Sequence, residues 1–239
     1  FIAKAEAWKQ RHGGKKAGYR EMIPGDDFDL GEDGSALYYA DWDVVGIMFR
    51  DWKPAQSHNI SIQGTSGKTS YFLSVGYNHE EGVMTFNPDK LNKYNANMNV
   101  TSDITNWLQI GGRFSYSDKA YTTPNTRRNT YTYMWRWGSF FGPYGTYQGI
   151  DMKNDIAYLK QAGDDKTNDS YTRIGAFLKA TIIKGLTLNA DYTFNINNKT
   201  TKSVGLPVIC WNSWGGKLNT PTTAAGANGC LLYTSPSPR

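Results

Sequence analysis

The stretch that decides the fold is Ser57–Ser117, and its clearest part reads Thr69-Ser70-Tyr71-Phe72-Leu73-Ser74-Val75-Gly76-Tyr77-Asn78. Every second residue from Tyr71 to Tyr77 is apolar, and the residues at Ser70, Ser74, Gly76 and Asn78 are small or polar. Strict alternation with period two predicts a β-strand that has one apolar face. The rest of the chain repeats this pattern or connects its copies, so the sequence predicts an all-β, antiparallel fold.

Six alternating strands are predicted, over His58–Thr65, Thr69–Asn78, Lys93–Ser102, Trp107–Ser117, Tyr171–Ile182 and Leu186–Asn197. Strands of about ten residues are long enough to cross a bilayer at a tilt. The connections alternate in length, being short after Ser66, Asp103 and Ile183 and longer after Glu80, Asp118 and Asn198. Outer-membrane barrels have short periplasmic turns and long outer loops. We therefore predict a fragment of an antiparallel transmembrane β-barrel with about six strands and long extracellular loops. A soluble β protein is the alternative that the pattern leaves open.

The remaining segments are not strand-like. Residues 1–56 are expected to form a helical and loop connection, with a helix over Ala3–Gln10 and another within Asp41–Arg50 that Asp41 caps. Residues 57–229 are expected to be the partial barrel, with a long irregular insert over Asp118–Ser170.

Composition narrows the function classes. The 239 residues carry a formal net charge of +5, but Lys and Arg are spread along the chain, so nucleic-acid binding is not expected. The two cysteines do not form a disulfide framework. No apolar run is long enough for a transmembrane helix. The chain opens on Phe1 with a charged, helix-prone segment, which suggests a piece internal to a longer protein.

The last ten residues have a different origin in our interpretation. Cys230 to Arg239 reads Cys-Leu-Leu-Tyr-Thr-Ser-Pro-Ser-Pro-Arg, which is similar to the translation of a sequencing-library transposon adapter. We therefore exclude residues 230–239 from the prediction of the fold. A genuine Pro/Ser-rich terminus is the alternative.

The run from Asp51 to Tyr77 carries a family resemblance. Gln56-Ser57-His58-Asn59-Ile60-Ser61, then Gly64, then Lys68-Thr69-Ser70-Tyr71 and Ser74-Val75-Gly76-Tyr77 resemble the early barrel of SusC/RagA-type TonB-dependent transporters of Bacteroidota. Glu81-Gly82-Val83-Met84 and the following hairpin, from Tyr94 to Leu108, continue the resemblance. One departure is Thr65, where a second glycine is common in the family.

This resemblance covers about Ala3–Asn198 and implies an outer-membrane importer of glycans or peptides. Members of the family have an internal plug in a barrel of about 22 strands. Their partners are outer-membrane lipid, a SusD-like lipoprotein lid and the TonB complex, the last through parts that we do not find in this chain. The resemblance assigns no catalytic residue, cofactor or metal. A siderophore-class receptor and an outer-membrane barrel hydrolase are the alternatives.

One loop is dense in aromatic residues and is the candidate substrate or partner site. Aromatic rings stack on sugars, and aromatic and Arg side chains are favoured in protein contacts. The candidates are Tyr131, Tyr133, Trp135, Arg136, Trp137, Phe140, Phe141 and Tyr144. A loop that folds inward and packs on itself is the equal alternative. Asp118 and Asp191 are the residues that a barrel hydrolase would offer, and we interpret them as a solvated loop acid and a polar residue facing the lumen.

Overall fold

The computed structural model describes residues 1–126, 130, 132, 142–212, 217–218, 221–224 and 233–236, with backbone only at 222–224 and 233–236. In this part of the chain the main element is a seven-stranded antiparallel sheet. Its six long strands are β3 (Ala55–Ser66), β4 (Thr69–Glu81), β5 (Lys90–Asp103), β6 (Leu108–Pro124), β9 (Asp164–Ile183) and β10 (Leu186–Ser203). These six occupy adjacent positions in the order β10-β9-β6-β5-β4-β3. The predicted all-β fold and its six strands are confirmed.

The strands are longer than predicted, and mostly at one end. At the short turns the observed bounds match the predicted ones to within a residue, whereas β6 continues to Pro124, β9 starts at Asp164 and β10 continues to Ser203. Residues 118–123, 164–170 and 198–203 have mainly polar or small side chains on both faces, so they carry no alternating apolar signal. The insert over Asp118–Ser170 was expected to be irregular. Its two ends are strand, because β6 continues to Pro124 and β9 begins at Asp164.

Two of the short turns depend on glycine. Gly67 has a φ of 60° in the turn between β3 and β4, and Gly185 has a φ of 89° between β9 and β10. Glycine adopts positive φ without steric cost, so the chain reverses there in two residues.

The register gives the sheet two chemically distinct faces, because directly paired residues point to the same side. One row pairs Ile62, Leu73, Met98, Phe114, Ile174 and Phe194. The next residues along each strand form the opposite row, which pairs Gln63, Phe72, Asn99, Arg113, Gly175 and Thr193. We call the first side the apolar face and the second the polar face.

Both faces of the sheet are exposed. Ile60, Leu188 and Phe194 on the apolar face have exposed fractions of 68%, 52% and 52%. Among the described hydrophobic side chains of the six long strands, Ala180 is the buried one. The sheet therefore has no core of its own within the part of the chain that the structure describes.

The buried core lies at the end of the sheet where the long connections are. There residues 1–54 pack with parts of 82–89, 142–163 and 204–218, and we call this assembly the cap. It contains helices α1 (Ile2–Arg11), α2 (Val44–Met48) and α3 (Asp155–Gln161) and short strands β1 (Phe28–Leu30), β2 (Ala36–Tyr38), β7 (Thr146–Tyr147), β8 (Ile150–Asp151) and β11 (Val208–Cys210). Trp8, Phe28, Met84, Met152 and Ile156 are each at most 1% exposed in its core.

The N-terminal segment differs from the prediction in two places. β1 and β2 pair as a hairpin, although residues 1–56 were expected to lack strands. Asp43, not Asp41, caps α2, because its side chain accepts a hydrogen bond from the Gly46 N–H (3.1 Å). Trp42 is held in a bridge to Ala17, so the chain is extended there and the helix begins after it. The first helix, α1, matches the prediction to within one residue at each end.

The segment Tyr233–Pro236 forms β13, which pairs with Thr200–Ser203 of β10. An exposed edge strand accepts an extended segment through backbone hydrogen bonds, whatever its side chains. The pairing therefore does not test the proposed adapter origin of residues 230–239. β12 (Thr222–Ala224) pairs with β11.

None of the helices in the described part of the chain is both long and apolar enough to cross a membrane.

Candidate functional site

The polar face offers a continuous hydrogen-bonding surface. Rows of Asn, Ser and Thr cross it, and one row pairs Ser61, Ser74, Asn97, Ser115, Arg173 and Asn195. Within this row Asn97 Nδ2 donates to Ser74 Oγ (3.4 Å), and between neighbouring rows Tyr171 Oη donates to Asn195 Oδ1 (2.9 Å). Side-chain amides have both donors and acceptors. Such a surface has the donors and acceptors to hydrogen-bond with polar groups of either kind, such as amides and hydroxyls.

One cluster on this face combines a cation with an aromatic ring. Arg113 Nη1 is 3.1 Å from Asp191 Oδ2, and its guanidinium lies 4.7 Å from the centre of the Phe177 ring. Both charged side chains are about half exposed, so the ion pair itself contributes little to stability. Its effect is to hold the guanidinium over the ring, where it can bind a carboxylate and stay stacked.

Gly111 makes the position of Phe177 possible. A Cβ at residue 111 would lie 2.2 Å from the Phe177 ring and 2.7 Å from the Val100 carbonyl oxygen. The ring therefore lies across the backbone of β6, as aromatic side chains do over glycines in curved sheets.

The apolar face carries a shallow recess of about 520 Å³. Small residues on three neighbouring strands, Gly112, Ala176 and Ala190, leave the space, and Tyr192 closes one side. The recess is open and its lining is almost wholly apolar, so it offers a polar substrate almost no hydrogen-bonding partners.

The cap is held together by a buried carboxylate. Asp27 is 0% exposed and receives hydrogen bonds from Arg20 Nη1 (2.6 Å) and Nη2 (2.7 Å), the Trp8 indole N–H (3.1 Å) and the Ile23 N–H (2.8 Å). Burial by itself raises the pKa of Asp27, but these hydrogen bonds outweigh it and hold the pKa below its usual value. The carboxylate thus connects α1, the chain after it and β1.

A second network joins the N-terminal segment to the later loops. Tyr19 Oη donates to Asp151 Oδ1, while Lys160 Nζ lies 2.9 Å from the same oxygen and 3.0 Å from Tyr19 Oη. Gln161 Nε2 donates to Asp151 Oδ2 (3.2 Å). Burial and the Asp151 hydrogen bond raise the pKa of Tyr19. Tyr19 and Asp151 are 132 residues apart in sequence, so these contacts hold two distant segments of the chain together within the cap.

The predicted aromatic site is described only at its last residue. Tyr131, Tyr133, Trp135, Arg136, Trp137, Phe140 and Phe141 lie outside the described residues. Tyr144 is 4% exposed and packs in the core of the cap, and burial raises its pKa to about 12. Its ring is not offered to solvent, and the binding role of the whole loop stays a prediction.

Sequence reasoning missed Arg113, Phe177 and Asp27 as residues with particular roles. The first two follow from the register, since Gly111 and Phe177 become neighbours only when β6 pairs with β9. Asp27 lies in an acidic stretch that reads as a loop, and its burial had no signal in the local pattern. Of the two acids considered, Asp191 lies on the polar face as interpreted. The interpretation of Asp118 as a loop acid is wrong: Asp118 lies within β6, on the side of the apolar face, at the edge of the band of apolar residues.

No cluster of metal ligands is present among the described residues. The imidazole of His12 contacts Asp26 (3.0 Å) and stacks on Trp8, and that of His79 contacts Asn92 (2.7 Å), so these rings have partners within the fold.

Comparison with known proteins identifies the fold. No protein-family model matches the chain, and no curated protein matches its sequence. Among solved structures it is similar to the RagAB peptide importer in the 'closed-closed' state, with a TM-score of 0.55 and 22% identity over 71% of this chain and 20% of that chain. It is also similar to a structure of the RagAB peptide transporter, with a TM-score of 0.51 and 22% identity over 68% of this chain and 20% of that chain. The chain spans about a fifth of the length of these structures, and at this identity the likeness shows the fold.

Proposed function

We propose that the chain is part of a SusC/RagA-type, TonB-dependent outer-membrane importer of glycans or peptides. The observation that carries the proposal is the exposed apolar face of the six-stranded sheet, opposite a face that is almost wholly polar. In water such a sheet would need a second layer over its apolar face. In a membrane barrel the apolar face contacts lipid and the polar face lines an aqueous lumen.

The height of the apolar band supports a membrane position. On β10 it extends from Leu186 to Ile196, which is about 11 residues, and at a tilt of about 45° this spans roughly 25 Å. An outer-membrane barrel has an apolar band of about 25 Å with aromatic girdles at its edges. Tyr77 and Tyr94, whose ring centres are 5.1 Å apart, lie one row above the band on β4 and β5.

The difference in loop length supports an orientation for the proposed barrel. The short turns at Gly67 and Gly185 lie at one end of the sheet, which we assign to the periplasm, and the cap lies at the other, which we assign to the cell exterior. A cap outside the barrel is in a position to meet a SusD-like lipoprotein and incoming substrate. The solved structures that share the fold are both of RagAB, a peptide importer, which favours peptide over glycan as the substrate class.

The proposal is tested by deleting the full gene in its source bacterium and measuring growth on peptides or on glycans as the sole nutrient. We expect loss of growth on one of these classes, the same loss when TonB is removed, and co-purification of a lipoprotein with the tagged transporter. Normal growth on both classes, together with impaired iron-siderophore uptake, would support the siderophore receptor instead.

A further inference from the structure

Three lysines on the apolar side of the sheet lie above the band of apolar residues. Lys90, Lys166 and Lys202 belong to one row across β5, β6, β9 and β10, in which Thr122 stands between the first two. All three are exposed. Each is an even number of residues beyond the apolar side chains of its own strand, so the row faces the same way as Tyr94, Ile174 and Ile196.

Two of these lysines are direct neighbours. Lys166 pairs with Lys202 in the register of β9 and β10. Like charges directly opposite each other destabilise a sheet. Neither side chain forms an ion pair with another described residue, and the acid of the row, Glu81, is bound by Arg50 (2.9 Å). At the other end of the row Glu81 pairs with Lys90, and the Arg50 hydrogen bond and the Lys90 charge both help to lower the pKa of that carboxyl. The positive charge left without an acid is therefore that of Lys166 and Lys202.

The position of the row along the membrane normal, relative to the tyrosines at the edge of the apolar band, indicates which layer of the bilayer it contacts. Lys90 is four residues beyond Tyr94, which corresponds to about 9 Å along the membrane normal at a tilt of about 45°. Girdle tyrosines lie at the boundary between acyl chains and headgroups. The ammonium groups therefore lie at the level of the headgroups of the outer leaflet, and long Lys side chains bend toward that interface.

We propose that the Lys90–Lys166–Lys202 row is a binding site for the headgroup phosphates of an outer-leaflet glycolipid of the lipopolysaccharide type. Basic side chains next to an apolar, membrane-contacting surface bind anionic lipid headgroups. The bound phosphates would relieve the repulsion between Lys166 and Lys202. The acyl chains of the same lipid would cover the apolar face below, where the recess at Gly112, Ala176 and Ala190 is open. The inference rests on the proposed function in placing the apolar face in lipid and the cap at the cell exterior.

The chain contains a matched control. Lys93 and Lys119 are also directly opposed, on β5 and β6, but on the polar face. They have the same charges and the same direct opposition, but they lie on the other side of the sheet, where Lys119 also pairs with Asp169. Lys166→Arg with Lys202→Arg keeps the charge and serves as a control for folding.

The test uses the full-length transporter, delipidated in neutral detergent and titrated with lipopolysaccharide from its own outer membrane, with lipid adducts counted by native mass spectrometry. We expect Lys166→Gln with Lys202→Gln to weaken binding by roughly ten- to thirtyfold. Lys93→Gln with Lys119→Gln, and the double Arg variant, should bind within about twofold of the unmodified protein. Dephosphorylated lipopolysaccharide should bind the unmodified protein as weakly as intact lipopolysaccharide binds the variant with Lys166→Gln and Lys202→Gln. Inorganic phosphate should not compete with lipopolysaccharide.

Equal lipopolysaccharide binding by the unmodified protein and by the variant with Lys166→Gln and Lys202→Gln would overturn the inference. So would equal loss in both Gln variants, or competition by inorganic phosphate, which would indicate a site for a soluble anion. Peptide uptake is measured separately. A transporter that imports peptides but whose lipid binding ignores Lys166 and Lys202 refutes this inference alone, and one that binds lipid through them but imports nothing refutes the proposed function alone.

Discussion

Replacing Asp27 by Ala should open the cap and leave the sheet intact. The substitution removes the acceptor of four hydrogen bonds from a fully buried position. The Trp8 and Ile23 N–H groups would each lose a partner, at about 1–3 kcal/mol for a buried donor left unsatisfied. Arg20 is about one-third exposed and can be rehydrated in part. Together these effects cost the cap about 3–5 kcal/mol, the range found when one member of a buried ion pair is removed.

Hydrogen exchange followed by mass spectrometry measures this cost region by region. If the cap opens as a unit, about 3–5 kcal/mol corresponds to exchange that is faster by roughly two to four orders of magnitude in residues 1–54 and 144–159. Peptides from β5, β6 and β9 should exchange as in the unmodified protein. Asp33→Ala is the control, because that side chain is 62% exposed and its contacts with Ser35 and Lys217 are exposed, so its loss should destabilise the cap far less than the loss of Asp27. Unchanged exchange in the cap of the Asp27 variant would refute the role given to this carboxylate.

Three further predictions follow from the two faces and the cap. Phe194→Arg on the apolar face should destabilise the proposed barrel by about 2–4 kcal/mol, whereas Asn195→Arg beside it should cost less than about 1 kcal/mol, as read from urea unfolding in lipid vesicles. Similar costs would contradict the assigned faces. Gly111→Ala should displace the Phe177 ring and lower the free energy of unfolding by about 1–3 kcal/mol in the same assay. An unchanged urea midpoint of unfolding would show that the Phe177 ring does not stay in close contact with residue 111. Burial raises the pKa of Asp155 from 3.8 to about 6, so the contribution of its protonated form to cap stability is full below about pH 4 and is lost as the pH rises through 6. Asp155→Asn should therefore make hydrogen exchange in the cap less dependent on pH in this range. A pH profile like that of the unmodified protein would contradict this prediction.

The alternating part of the strands was predictable from the sequence because it has one strong signal. Between Leu186 and Ile196, side chains of one parity are apolar and those of the other are polar, so both the strand and its faces follow from period two. Gly67 and Gly185 marked the short turns. Beyond Asn197 both faces of β10 are polar, and the same local pattern suits a loop, so the extension to Ser203 had no signal.

The cap was not predictable, because its core is assembled from segments distant in sequence. Trp8, Phe28, Met84 and Ile156 have no common period, and each is flanked by charged or turn residues. The partners of Asp27 and Asp151 follow only from that packing. For the aromatic loop, density of rings could not distinguish exposure from burial, and the buried Tyr144 shows why composition alone does not establish a binding surface.

The central claim is that the apolar face of the sheet contacts lipid while the polar face contacts water. Spin labels at single cysteines along β10, in a full-length protein without other cysteines and reconstituted in vesicles, test it directly by their collision rates with oxygen and with a water-soluble nickel complex. The account predicts strict alternation, with high oxygen and low nickel accessibility at Leu188, Ala190, Tyr192 and Phe194 and the reverse at Asn189, Asp191, Thr193 and Asn195. The same accessibility to nickel at both sets, or the inverse alternation, would contradict it.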